Sequence, residues 1–478
     1  MEADERKTMS ERIPVRTVET YEPLRTKKKA ATSDNLIHTR SFTGLYRNLR
    51  ISGAGLLFLL FFGTVWLDWG GRQAVLWDLG ESKFHIFGAT FWPQDFILLS
   101  ALLIIAAFGL FAITVFAGRV WCGYTCPQSS WTWIFMWCEK VTEGERNQRI
   151  KLQAAPWGLN KLMRRSAKHT LWLAISLLTG LTFVGYFTPI RPLAEELLTL
   201  QMSGASLFWV LFFTGATYIN AGWLREAVCM HMCPYARFQS VMFDKDTLTI
   251  SYDVARGENR GPRKREVKPA EVGLGDCIDC QLCVQVCPTG IDIRDGLQME
   301  CIGCAACIDA CDSIMDKMGY ARGLISYTSE HQLQGGKTHL LRPRLIGYGA
   351  VLLVMIAALV VALVERPMVS LDVSKDRGLF RENSLGQIEN IYSLKIINKT
   401  QQRQDYRLQL VDGDGFQLQG KTEVSLAAGE IVDLPVSVAM IADQPQSSSQ
   451  ELSFKVVDAD EPQIYSVAKS RFVAPMNR

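Results

Sequence analysis

Eight cysteines between residues 277 and 311 fall into two runs of one spacing. They are Cys277-x₂-Cys280-x₂-Cys283-x₃-Cys287-Pro288 and Cys301-x₂-Cys304-x₂-Cys307-x₃-Cys311. Tight turns at this spacing fold three sulfurs around one cubane 4Fe–4S cluster, and the fourth reaches across to its neighbour. The spacing therefore predicts Cys277, Cys280, Cys283 and Cys311 around one cluster, and Cys301, Cys304, Cys307 and Cys287 around the other. Disulfides or zinc would not call for the same four-thiolate run twice. Asp312 stands where the second run would usually carry proline, which alters the turn and removes no ligand. The chemistry implied is one-electron transfer.

A second cysteine pattern also occurs twice, as Trp121-Cys122-Gly123-Tyr124-Thr125-Cys126-Pro127 and Cys229-Met230-His231-Met232-Cys233-Pro234. An i, i+4 separation puts both sulfurs on one helical face. The proline removes a backbone donor and disturbs the turn before it. Three uses compete. Thiolates with the thioethers of Met230 and Met232 and the His231 imidazole suit monovalent copper. A dithiol–disulfide pair could relay electrons. Buried cysteine also serves as a small apolar filler. Repetition beside a two-cluster run favours the functional uses, copper first. His231 alone reads equally well as an interfacial histidine. Cys138, without a partner in sequence, reads as packing. Arg225, Tyr235 and Arg237 flank the second pair as topology anchors or supports.

Five apolar stretches are long enough to cross a bilayer: 51–69, 96–118, 170–188, 205–223 and 345–364. Thr214, Thr217, Tyr218 and Asn220 make the fourth the most polar. Residues 1–50 are polar and charged, so no cleavable signal is expected and the first span serves as an anchor. Lys and Arg alternate between the connections. Residues 1–50 hold 11, 119–169 hold 9 and 224–344 hold 15, whereas 70–95 hold only Arg72 and Lys83, and 189–204 only Arg191. The positive-inside bias then puts the amino end inside and residues 365–478 outside. All 13 cysteines precede Glu365, and none falls in a segment assigned to the outside, as reduced thiols require.

The chain of 478 residues thus reads as a multi-domain membrane protein. A charged lead (1–50) carries the basic run Lys27-Lys28-Lys29, and four spans (51–223) follow. A cytoplasmic region (224–344) contains a two-cluster ferredoxin insert at about 270–320, then comes a fifth span (345–364) and an all-β tail (371–478). At and around the 70–95 connection, Trp66, Trp69, Phe91 and Trp92 fit an interfacial aromatic belt. Trp131, Ile134, Phe135 and Cys138 form a stripe expected of an amphipathic helix on the inner membrane surface. In the tail, Tyr392, Leu394 and Ile396 alternate with polar residues, as do Tyr406, Leu408 and Leu410. With the runs 431–438, 452–457 and 464–467, and the Asp412-Gly413-Asp414-Gly415 turn, this predicts about seven short strands in a β-sandwich. A net charge of +3 gives no signal for nucleic acid. None of the six histidines lies well inside an apolar stretch, so a bis-histidine haem is not expected. No G-x-G-x-x-G opens a nucleotide domain, so electrons must come from another protein or a small donor.

The segments Gly118–Gln128, Arg225–Gln239, Asp244–Thr247, Gly275–Cys280 and Pro288–Arg294 resemble the CcoG/FixG/RdxA family of bacterial cytochrome c oxidase accessory proteins. The resemblance runs from about residue 40 to the end and implies that the tail is immunoglobulin-like. It implies cupric reduction supporting copper delivery to a cbb-type oxidase in the inner membrane, with a copper chaperone and oxidase assembly components as partners. The ferredoxin cysteines would store electrons, and Cys122, Cys126, Cys229 and Cys233 would meet the copper. Two other readings remain at this point: a membrane ferredoxin serving a partner enzyme, and a non-catalytic assembly scaffold.

Overall fold

A computed structural model describes residues 37–475 apart from 268, 379, 384, 401, 412–414 and 442–448. The Lys27–Lys29 run and residues 412–414 of the expected turn lie outside the described residues. Among the described residues, nine α-helices precede the cluster module: α1 (Leu45–Gly63), α2 (Phe96–Ala117), α3 (Val120–Tyr124), α4 (Pro127–Glu143), α5 (Arg146–Ala154), α6 (Leu159–Val184), α7 (Ile190–Thr199), α8 (Gly204–Thr217) and α9 (Pro234–Met242). Short helices α10 (Val254–Gly257), α11 (Leu282–Gln285), α12 (Ala306–Met318) and α13 (Glu330–Leu333) lead to α14 (Pro343–Val364). Among the described residues, five helices are long and apolar enough to cross a membrane: α1, α2, α6, α8 with its continuation to Leu224, and α14.

The two Cys-x₃-Cys-Pro elements are built alike. Each follows a span that ends in a residue with positive φ, Gly118 (φ 55°) or Arg225 (φ 43°). Each second cysteine is extended (Cys126 ψ 128°, Cys233 ψ 111°) and precedes a helix whose first residue is proline, the position where a missing N–H costs nothing. Two residues past each second cysteine, a side chain crosses to the other unit. The Gln128 amide donates to the carbonyls of Asn220 (2.9 Å) and Arg225 (3.1 Å), and the Tyr235 hydroxyl donates to Leu110 O (3.0 Å). The second unit differs in pitch, because Tyr218–Leu224 and Val228–Met232 are π-helical. Such i→i+5 turns displace carbonyls from the ordinary ladder, and Gln128 satisfies two of them.

The stripe of Trp131, Ile134, Phe135 and Cys138 is covered by protein. It faces α6 and the first π segment, packing on Trp172 and Ala221. The Trp131 ring meets Phe58 of α1 edge-on at 4.6 Å, and its indole N–H donates to Thr179 of α6 (3.0 Å). Helical spacing fixes an apolar face but not whether lipid or another helix covers it. Beneath the stripe, Glu139, 1% exposed, pairs with Arg149 (2.9 Å) and Arg225 (2.6 Å).

Sixteen strands occur among the described residues. β1 (Asp68–Trp69) just precedes the 70–95 connection, β2 (Arg72–Gln73), β3 (Val75–Asp78), β4 (Lys83–Ile86) and β5 (Ala89–Phe91) lie in it, and β6 (Thr249–Tyr252) and β7 (Ile325–Thr328) lie in the cluster module. The tail has β8 (Val369–Lys375), β9 (Arg381–Glu382), β10 (Ile388–Asn398), β11 (Gln404–Leu410), β12 (Phe416–Gln419), β13 (Glu423–Leu426), β14 (Ile431–Met440), β15 (Ser449–Asp458) and β16 (Tyr465–Val473). These nine, not about seven, form two antiparallel sheets, β12-β14-β10-β8 with β9 on β10, and β13-β11-β15-β16. Alternate residues such as Tyr392, Leu394, Ile396, Leu452, Phe454 and Val456 fill the space between them.

The sandwich is clamped to the bundle. Asp95, just before α2, is buried and bonds both Arg366 (2.5 Å) and Lys399 (3.1 Å). Trp92, only 2% exposed, lies next to Gly429 of the sandwich instead of in a lipid-facing belt. The connection itself folds into small sheets, β1-β2 and β3-β4-β5. The cluster module sits at the opposite end, where the carboxylate of Asp309 accepts the N–H groups of Tyr46 (3.2 Å) and Arg47 (2.7 Å) and so caps α1.

Candidate electron-transfer site

Each cysteine run turns its sulfurs inward through left-handed backbone on both sides of its second cysteine. Asp279 (φ 52°) and Gln281 (φ 55°) flank Cys280, and Gly303 (φ 66°) and Ala305 (φ 58°) flank Cys304. Three of these are not glycine, a strain retained only where the surroundings over-determine the turn. Cys277, Cys280, Cys283 and Cys311 line one cavity, and Cys287, Cys301, Cys304 and Cys307 line the next, with Cys283 lining both. Burial pushes Cys301 up to about 12. Burial, then the sulfurs of Cys283, Cys280 and Cys277, does the same to Cys311. Two cages of four converging, desolvated sulfurs fit 4Fe–4S clusters, whose iron takes them as thiolates. Asp312, in place of proline, lets α12 continue past Cys311, and its carboxylate accepts the N–H of Gly323 (3.0 Å) at the turn into β7.

The second cage is pressed against the bundle. A Cβ on Gly123 of α3 would lie 2.7 Å from the Gly303 carbonyl oxygen and 2.8 Å from the Cys304 Cα. Only glycine permits that approach. Cys122 packs beside Cys304, Ile302, Val286 and Ala306. Arg119 donates to the carbonyls of Met299, Cys301 (3.3 Å) and Ala236 (2.7 Å), tying cage, α3 and α9 together. The Tyr327 hydroxyl donates to Gly303 O (2.5 Å). Gly123→Ala should therefore cost about 1–3 kcal/mol of docking. Faster amide hydrogen exchange across 299–304, at unchanged cluster absorbance, would register it.

Behind this contact the four remaining paired sulfurs share one neighbourhood. Burial pushes the Cys122 thiol up to about 11, helped by the sulfurs of Cys126 and Cys233. Burial pushes Cys229 up to about 12, with Cys126, Cys122 and Cys233 adding to it. The Cys122 thiol donates to the Gln239 side-chain oxygen (3.5 Å), and Gln239 is fully buried. His231 and Met232 are exposed, so the copper-ligand places offered to them by sequence are not in this group, and Met230 is half-buried. The Cys233 N–H bonds Val228 O, five residues back, and at α or π pitch alike a residue two places after Cys229 falls on the far side of the turn, in keeping with the exposure of His231. Cys138 is buried in the α4–α6 contact. Sequence reading missed Gln128, Gln239, Gly123 and Gly303. For Gln128 and Tyr235 the signal was their shared place after each Cys-Pro.

Residues 224–330 match the 4Fe-4S dicluster domain family, and residues 359–475 match the IG-like fold at the C-terminal of FixG. The chain is 37% identical over 448 residues to protein RdxA of Cereibacter sphaeroides, covering 89% of this chain and 94% of RdxA. It is 39% identical to protein RdxB of the same bacterium over 387 residues (78% and 81%). To the nitrogen fixation protein FixG of Rhizobium meliloti it is 34% identical over 454 residues (82% and 87%). The chain belongs to the FixG/RdxA family. As a member of the FixG/RdxA family with a dicluster domain, it is an iron–sulfur electron-transfer protein.

Proposed function

We propose that the protein reduces divalent copper to the monovalent ion at the sulfurs of Cys122, Cys126, Cys229 and Cys233. The observation that carries this reading is the contact of Gly123 with Gly303 and Cys304, which sets the thiol group directly behind a cluster cage. In this reading Cys277, Cys280, Cys283 and Cys311 hold one 4Fe–4S cluster, and Cys287, Cys301, Cys304 and Cys307 hold the other. When bound, the clusters supply electrons singly. The copper ion gains one electron from a reduced cluster, and the only bonds broken are the S–H bonds of the ligand thiols, whose protons pass to solvent. Thiols held protonated by burial give up protons as the ion binds, and soft sulfur favours the monovalent product. Cys280 is the exposed ligand of the eight, the natural side for a donor to approach.

The membrane is the bacterial inner membrane, with the cluster module cytoplasmic and the sandwich periplasmic. The alternation of Lys and Arg between spans supports this. The product serves copper delivery, through a chaperone, to a cbb-type oxidase under assembly. The test uses anaerobically purified protein in detergent, reduced with dithionite, desalted, and mixed with cupric ion and a Cu⁺-specific chromophore. One Cu⁺ per reduced cluster is the expected yield. Clusters that stay reduced in excess cupric ion would overturn the reading in favour of a ferredoxin for another enzyme or a scaffold.

A further inference from the structure

Where the cluster module joins the bundle, Asp246, His331 and His339 bring three ligand atoms within 4.8 Å of one another. Asp246 lies between α9 and β6, His331 in α13, and His339 just before α14. The Asp246 Oδ1 is 2.8 Å from His331 Nδ1 and 3.3 Å from His339 Nδ1. The two rings stand at 89° with centroids 5.6 Å apart. Their side chains are 35% and 68% exposed, so burial does not force either ring towards that oxygen. Neighbouring charge is accounted for separately, because Arg342 (2.6 Å) and Arg344 (3.9 Å) face Asp244.

Two ligands each about 2 Å from one ion lie about 3.3 Å apart at the tetrahedral angle, close to the separations found here. We propose that Asp246, His331 and His339 form a binding site for one divalent cation of the zinc and copper class. Two imidazoles and a carboxylate select such borderline ions over magnesium or calcium, which prefer oxygen throughout. The site is independent of the copper-reduction reading. Its place gives it a task. The chain enters the module through residues 244–248 and leaves it through 331–342. Thr247 (3.0 Å) and Arg342 each donate to the same carbonyl, Val115 O at the end of α2. Leu248 N–H donates to Phe116 O (3.1 Å). An ion on Asp246 and both histidines fastens the incoming and outgoing chains to each other beside that carbonyl.

The test is a zinc titration of full-length protein with clusters intact, by calorimetry, in three forms: wild type, His331→Ala with His339→Ala, and Cys229→Ser with Cys233→Ser. One zinc per chain should persist in the serine form, and it should bind at least about 100-fold more weakly in the alanine form. Zinc should also slow hydrogen exchange at 244–248 and 331–342 in wild type and not in the alanine form. Asp246→Asn keeps a hydrogen-bond acceptor and loses the charged ligand. It should lose the zinc with cluster absorbance unchanged, which separates ligation from misfolding. Equal zinc binding by the alanine form and wild type, or loss of all zinc in the serine form, would overturn the proposal.

Discussion

Cys229→Ser combined with Cys233→Ser should abolish cupric reduction, by at least about 100-fold, while leaving cluster absorbance intact. The two sulfurs share their surroundings with Cys122 and Cys126 and contribute nothing to the cavities of the cluster module. Serine is nearly isosteric, so packing is kept and the soft donors alone are lost. Chromophore-detected Cu⁺ formation measures the effect. His231→Ala is the contrasting control. Its exposed ring should be removable with the rate held within about twofold, since surface substitutions of this kind change little. Full turnover in the double-serine form would show that copper is met elsewhere.

Glu139→Ala should be the most damaging single change outside the clusters. It would leave Arg149 and Arg225, 4% exposed each, as buried charges without their carboxylate. Breaking such a group by removing one member costs about 3–5 kcal/mol. Arg225 adds a second liability, because its positive φ puts it in a backbone region that only its surroundings enforce. Released, it lets the π segments relax and the Cys229–Cys233 turn lose its aim. Thermal melting in detergent should show a lower midpoint, with copper reduction lost ahead of cluster absorbance. Glu139→Gln, which keeps the shape and an acceptor oxygen, should be milder.

The sequence disclosed most where its signals are local. Four-thiolate runs, five apolar stretches and the alternation of Tyr392, Leu394 and Ile396 each declare themselves within a few residues. The immunoglobulin-like tail and dicluster module stand as expected. What stayed hidden is contact between distant segments. Nothing near Gly123 says that Gly303 will lie against it, and nothing near Trp92 says that a sandwich will cover it. The stripe from Trp131 to Cys138 gave the face of α4 and not its partner. The ligand places offered to His231 and Met232 rested on donor chemistry alone, which does not say which side of the turn a side chain takes, and both are exposed. Matched positions did carry information: the shared offset of Gln128 and Tyr235 marks the crossing between the two units.

Asp95 closes one end of α2, and Val115 with Phe116 holds the other. The immunoglobulin-like module and the iron–sulfur module therefore grip a single axle, with α14 packed alongside it as the covalent strut. The two modules thus meet opposite ends of one helix, and the end held by the iron–sulfur module lies beside Gly118, four residues before Cys122.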